Sequence, residues 1–179
     1  MPKGTLTLIK HFIFWLLFLA FSRLLFFAYH WEKTREVPFA DLLLSFLYAL
    51  RLDVSTASYL SVVPLLFFLF YNIWNFPFHK AIKFFTLAVL VIISLLNTAD
   101  LQLYREWGSR LNRQAFTFLQ YPREAWASTV SSPLLLLSLM FLLQLVSGLL
   151  LFRLLLKPRR QETVQRSQPW KYFLIFLIC

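Results

Sequence analysis

FFTLAVLVIISLLNTADLQLYREWGSRLN, residues 84–112, runs apolar as far as Leu96 and then turns polar within a few positions. Residues 84–103 match the roughly 20 residues that a helix needs to cross about 30 Å of hydrocarbon. Three other stretches have a similar length and character, 12–29, 54–74 and 133–152. With 59% hydrophobic residues, 19% of the chain aromatic, and a mean hydropathy of +0.65, the sequence lies outside the range of soluble domains. The expected fold class is all-α: a polytopic membrane helical bundle with four complete spans and short interfacial helices, forming one transmembrane domain over residues 1–179.

A fifth apolar stretch, WKYFLIFLIC, occupies 170–179. Ten helical residues reach only about 15 Å, half the hydrocarbon thickness. The expectation is a fifth span that starts here and is truncated. Between the first two full spans, EVPFADLLLSFLYAL places Pro38 at a helix start and Asp41 in the first turn, where it complements the helix dipole. The dozen residues to Leu50 suit a short interfacial or re-entrant helix. Asp53 then reads as the N-cap of span 54–74. Gly108 is placed to end the third helix in a left-handed conformation, and SRLNRQAFTFLQYPREAW, 109–126, reads as an amphipathic segment at the membrane surface. Ser132 and Pro133 suit the cap and first position of the fourth span.

The net charge of +10 is unevenly placed. Lys3, Lys10, Lys80 and Lys83 fall on the same side of the expected topology as the basic run around KPRRQETVQR, whereas charges between residues 30 and 53 and between 100 and 130 nearly cancel. Arg23 stands apart, inside the first span. The positive-inside rule therefore predicts a multi-pass protein with its N-terminus in the cytoplasm, its basic loops touching anionic lipid rather than nucleic acid. Soluble chemistries find no foothold. His11, His30 and His79 lie in separate regions, Cys179 is the lone cysteine, and no HExxH, GxSxG or phosphate loop occurs. No catalytic or metal-ligating residue is expected in this chain.

The polar residues that remain are therefore the informative ones. On a helix, Asn97, Asp100, Tyr104 and Trp107 fall within an arc of about 80°. Asp100 near a span end calls for a partner, for which Arg51 and Arg110 are the candidates. Arginines between residues 105 and 123 suit phosphate, because the guanidinium fork matches its oxygens. The reading is a polar vestibule for a lipid headgroup, carried by Arg51, Asp53, Asn97, Asp100 and Tyr104 together with Arg110 and Asn112.

Two stretches, LRLDVSTASYL and NTADLQLYREWGSRLNRQAFTFLQYPREAW, carry a family resemblance. An R-x-D-x-S element at Arg51, Asp53 and Ser55 is followed by Asn97 and Asp100, by Arg110 and Asn112, then by Pro122 and Glu124. In order and spacing this resembles the N-terminal transmembrane region of the lipoteichoic acid synthase family, sulfatase-like phosphoglycerol transferases of the bacterial cytoplasmic membrane, over residues 45–130. The resemblance implies five membrane helices and a soluble extracellular catalytic domain beyond residue 179. That domain would use a threonine or serine nucleophile and a divalent metal on phosphate or sulfate esters. This chain would then supply the anchor and lipid-docking region, with membrane lipid and its own C-terminal catalytic domain as partners. The alternatives are a small polytopic transporter, with Asp100 and Arg51 as a buried relay, and a noncatalytic membrane assembly protein.

Overall fold

The computed structural model describes residues 3–74, 77–110 and 133–156. They form α1 (Lys3–Tyr29), the single turn α2 (Trp31–Thr34), α3 (Phe39–Trp74), α4 (Phe78–Trp107) and α5 (Leu134–Leu156), with no strand among the described residues. Four of these helices are long and apolar enough to cross a membrane. The chain is an all-α, multi-pass membrane protein. The expected fifth span at 170–179, the amphipathic stretch beyond Arg110, Asn112 and Ser132 all lie outside the described residues.

Each long helix buries a stripe at helical spacing. On α1 it is His11, Phe14, Trp15 and Phe18; on α4, Phe78, Ile82, Thr86, Leu90, Ser94 and Leu101; on α5, Gln144, Gly148 and Phe152. α1 packs on α3 and α5, and α4 packs on the same two, so the four helices close a ring with α1 and α4 across the diagonal. The Phe14 ring meets Trp15 edge-on at 4.9 Å and Phe152 at 6.3 Å. With Phe18, Ala57 and Leu90 these side chains fill the centre of the ring. Gly148 lets α5 approach closely: a methyl group there would run into Leu90 and press on Phe18. Below this layer Phe68, Phe78 and Ile82 make a second small cluster.

The stretch after Pro38 departs from expectation. It is not a separate interfacial helix: α3 runs unbroken for 36 residues, through both Asp53 and Pro64. No glycine or proline lies between Pro38 and Pro64 to stop it. The Ser55, Ser58 and Ser61 hydroxyls donate to the carbonyls of Arg51, Val54 and Ala57 at 2.9, 2.8 and 2.7 Å, so these polar residues are satisfied without leaving the helix. The extra turns are held by α1, where Phe27 meets Phe46 at 5.7 Å. α4 ends as its sequence demands. Gly108 adopts φ 65° and ψ 5°, and its amide donates to the Tyr104 carbonyl at 3.0 Å.

Depth can be read along the helices. About 30 Å of rise separates Lys10 from Tyr29 on α1 and Lys83 from Tyr104 on α4, which matches the hydrocarbon thickness. The two tyrosines mark one end of the bundle, here the distal end, where α1 and α4 finish and α3 begins. Arg23 and Asn97 then lie about 10 Å inside that level.

Candidate functional site

Directly above the aromatic centre the four helices part around a cleft of about 240 Å³. α1 contributes Ser22, Arg23 and Phe26; α3 contributes Asp53; α4 contributes Asn97, Asp100 and Leu101; α5 contributes Gln144, and Arg110 closes the rim. A charged group at this depth is expensive, and the cleft deals with it by pairing. Arg23 Nη2 donates to both oxygens of Asp53, at 2.9 and 3.1 Å, and the guanidinium also lies 5.6 Å from the Phe46 ring centre. Asp53 is therefore not an N-cap. It sits fourteen residues into α3, and its partner is a cation on another helix.

The second pair is looser. Arg110 Nε lies 3.7 Å from Asp100 Oδ2, with the guanidinium 4.3 Å above the Phe26 ring. Exposure grades from one pair to the other: Arg23 and Asp53 side chains are 12% and 13% exposed, Asp100 is 20% and Arg110 is 55%. The cleft thus has its mouth at Arg110, at the distal end. Beyond its inner end lie Phe14, Trp15, Phe18 and Leu90, all essentially inaccessible and none of them part of its lining.

Three buried polar atoms on the walls have no protein partner among the described residues: Arg23 Nη1, Asn97 Nδ2 and Gln144 Oε1. The first two are donors and the third an acceptor. Leaving such atoms unmatched costs about 1–3 kcal/mol each.

Beside the mouth, His30 sits between α1 and α2 with the rings of Phe26, Tyr29 and Tyr104 centred 4.7–4.9 Å away. Lys33 Nζ lies 5.0 Å from the Tyr104 ring centre. Burial pushes the His30 imidazole below its ordinary range, helped by Lys33 and Arg105, while the Leu101 carbonyl and the Asp100 carboxylate pull the other way.

Of the residues singled out from sequence, Asp53, Asn97, Asp100 and Arg110 meet in the cleft. Arg110 is the partner that Asp100 was expected to find. Arg51 is not: it is exposed on α3 and absent from the lining, because Asp53, two residues on, takes the inward position. Tyr104 lies outside the cleft and packs its ring on Phe26 at 5.0 Å. Among the lining residues that had gone unassigned, Arg23 and Gln144 matter most. Both carried a signal, as the charged residue inside span 12–29 and the one amide in span 133–152. Among the described residues no group of acidic, histidine or cysteine side chains could hold a metal ion. Comparisons with protein-family models, with curated proteins and with solved structures find no match to this chain.

Proposed function

We propose that this chain is a membrane-anchoring and lipid-docking module, receiving the headgroup of a phospholipid in the cleft between Arg23, Asn97 and Gln144. The reading extends to the membrane region of a sulfatase-like transferase at the outer face of a bacterial cytoplasmic membrane, with the N-terminus inside. There the metal-dependent chemistry on phosphate or sulfate esters would belong to a separate soluble domain. The observation that carries it is the pair of buried donors, Arg23 Nη1 and Asn97 Nδ2, on residues of one cleft and without partners among the described residues. Phosphate oxygens are the acceptors a guanidinium fork matches best. The ordered polar positions from Arg51 to Glu124 support the wider family reading, and the basic residues at the opposite end support the orientation.

A transporter is the weaker reading. It would need a polar route beyond the cleft, and Phe14, Trp15, Phe18 and Leu90 stand where that route would begin. A noncatalytic assembly protein would need no unpaired buried donors at all. The test is co-purifying phospholipid, counted by native mass spectrometry of the protein in detergent. Arg23→Met and Asn97→Leu are expected to lower bound phospholipid about tenfold each, one lost charge-assisted or buried hydrogen bond apiece. Unchanged lipid in both folded variants would sink the reading.

A further inference from the structure

We infer that the outward face of α3 between Tyr48 and Tyr59 is a docking surface for a membrane helix of another protein, one that carries a carboxylate at the depth of Arg51. At 100° per residue Tyr48, Arg51, Ser55, Ser58 and Tyr59 fall within an arc of about 100°. Phe46, Asp53 and Ala57, which face α1 and the centre of the ring, lie on the opposite side of the helix. All five residues of the arc are exposed. They are nevertheless at bilayer depth. Arg51 is two residues from Asp53, which places it about 7 Å inside the Tyr29 level, and Tyr59 is about 9 Å deeper than Asp53, near the middle of the hydrocarbon. Ionisable side chains at such depths face protein or a wet cavity, and tyrosine gathers at the membrane interfaces rather than the middle.

The residues of this face select its occupant. Arg51 has no ion pair among the described residues, and its neighbours one turn away on α3 are Leu47, Tyr48, Val54 and Ser55, none of them acidic. Tyr59 is 77% exposed, and its hydroxyl has no partner among the described residues. Ser55 and Ser58 donate to carbonyls of α3 itself, so they offer a small, satisfied surface on which a second backbone can lie close. Lipid does not fit this set: Arg51 can stretch to the headgroups, but the Tyr59 hydroxyl meets only acyl chains. A second copy does not fit either, because copies share one orientation and a two-fold axis along the membrane normal would set Arg51 against Arg51. The apolar stretch 170–179 brings Lys171 and no carboxylate. A helix with an aspartate or glutamate opposite Arg51, small residues opposite the serines and an acceptor near Tyr59 satisfies every member. This face points away from the cleft, so the inference stands apart from lipid docking.

The experiment is disulfide capture in phosphatidylcholine vesicles, with Ser58→Cys as the one thiol of the protein in a Cys179→Ser background. The probe is a synthetic leucine and alanine membrane helix of about 22 residues, with a glutamate about five residues from one end and a cysteine two turns further on along the same face. Versions with glutamine or leucine in place of the glutamate are the controls. The glutamate helix is expected to be captured about tenfold over both, the worth of one charge-assisted contact. Arg51→Leu should bring all three helices to one level, and Tyr59→Leu should weaken capture of each. The three helices on the protein with Arg51 intact decide the matter if Arg51→Leu does not fold. Equal capture of the three would overturn the charge complementarity, and so would a glutamate preference that survives Arg51→Leu. Disulfide between two copies in place of the probe would assign the face to a second copy, and no capture of any helix would mean that the chain covers it with its own residues; either overturns the inference. Phospholipid retention is a separate measurement, and none of these outcomes bears on it.

Discussion

Arg23 and Asp53 show why a polar residue in a membrane helix has to be read together with one far away in sequence. Thirty positions separate them, and neither helix could hold its charge alone. Removing one partner leaves the other charge buried, so Asp53→Ala should cost about 3–5 kcal/mol, whereas the double change Arg23→Leu with Asp53→Leu should cost less than the single one. Thermal melts of the three proteins in detergent check this, and a double variant less stable than Asp53→Ala would contradict it. His30 gives a pH prediction with a definite sign. Its folded pKa lies below the ordinary 6.5, so the neutral ring contributes stability that is complete above that value and is lost as pH falls below it. The melting temperature should drop on acidification from about pH 7.5 to 5, and less steeply in His30→Gln. Asp100 with Arg110 was legible from sequence because the two sit close along one chain segment. Arg23 with Asp53 was not, because only the register between α1 and α3 brings them together, and span boundaries do not fix a register.

At the scale of the element, α5 depends on one small residue. A side chain at Gly148 would meet Leu90 and Phe18, so Gly148→Leu should cost about 1–3 kcal/mol by overpacking, while Gly148→Ala should cost less because the Leu90 side chain can yield. Melting temperatures of the two variants measure the difference, and equal stability for both would mean that α5 does not pack as described. The long helices themselves were plain from apolar length, and so was the end of α4 at Gly108. α3 was misjudged for a physical reason. Apolar counting treats Arg51, Asp53, Ser55 and Ser58 as a break, but a helix with a neutralised carboxylate and serine hydroxyls bonded back to its own carbonyls has no reason to stop. At 36 residues it measures about 54 Å, so its first turns stand beyond the hydrocarbon while the rest crosses it.

For the whole molecule, the proposed orientation rests on where the basic residues gather. Lys10, Lys80, Lys83 and Arg153 lie toward the end of the bundle opposite the cleft mouth, which the positive-inside rule assigns to the cytoplasm. Cysteines placed at Glu36 or Arg105 in intact cells should react with a membrane-impermeant maleimide, and one placed at Lys80 should not; the opposite pattern would invert the topology. The closed aromatic centre beneath the cleft has an electrical meaning as well. A membrane voltage falls across the layer that holds neither water nor ions, which here is the packing around Phe14, Trp15, Phe18 and Leu90. Carrying one elementary charge through the whole of that drop is worth about 2.3 kcal/mol per 100 mV. Arg23 and Asp53 lie on the distal side of that layer, about 10 Å inside the Tyr29 level. Whatever enters at Arg110 crosses only the part of the drop that lies distal to the aromatic packing, so a charged occupant should respond to membrane voltage more weakly than a charge that crosses the whole bilayer.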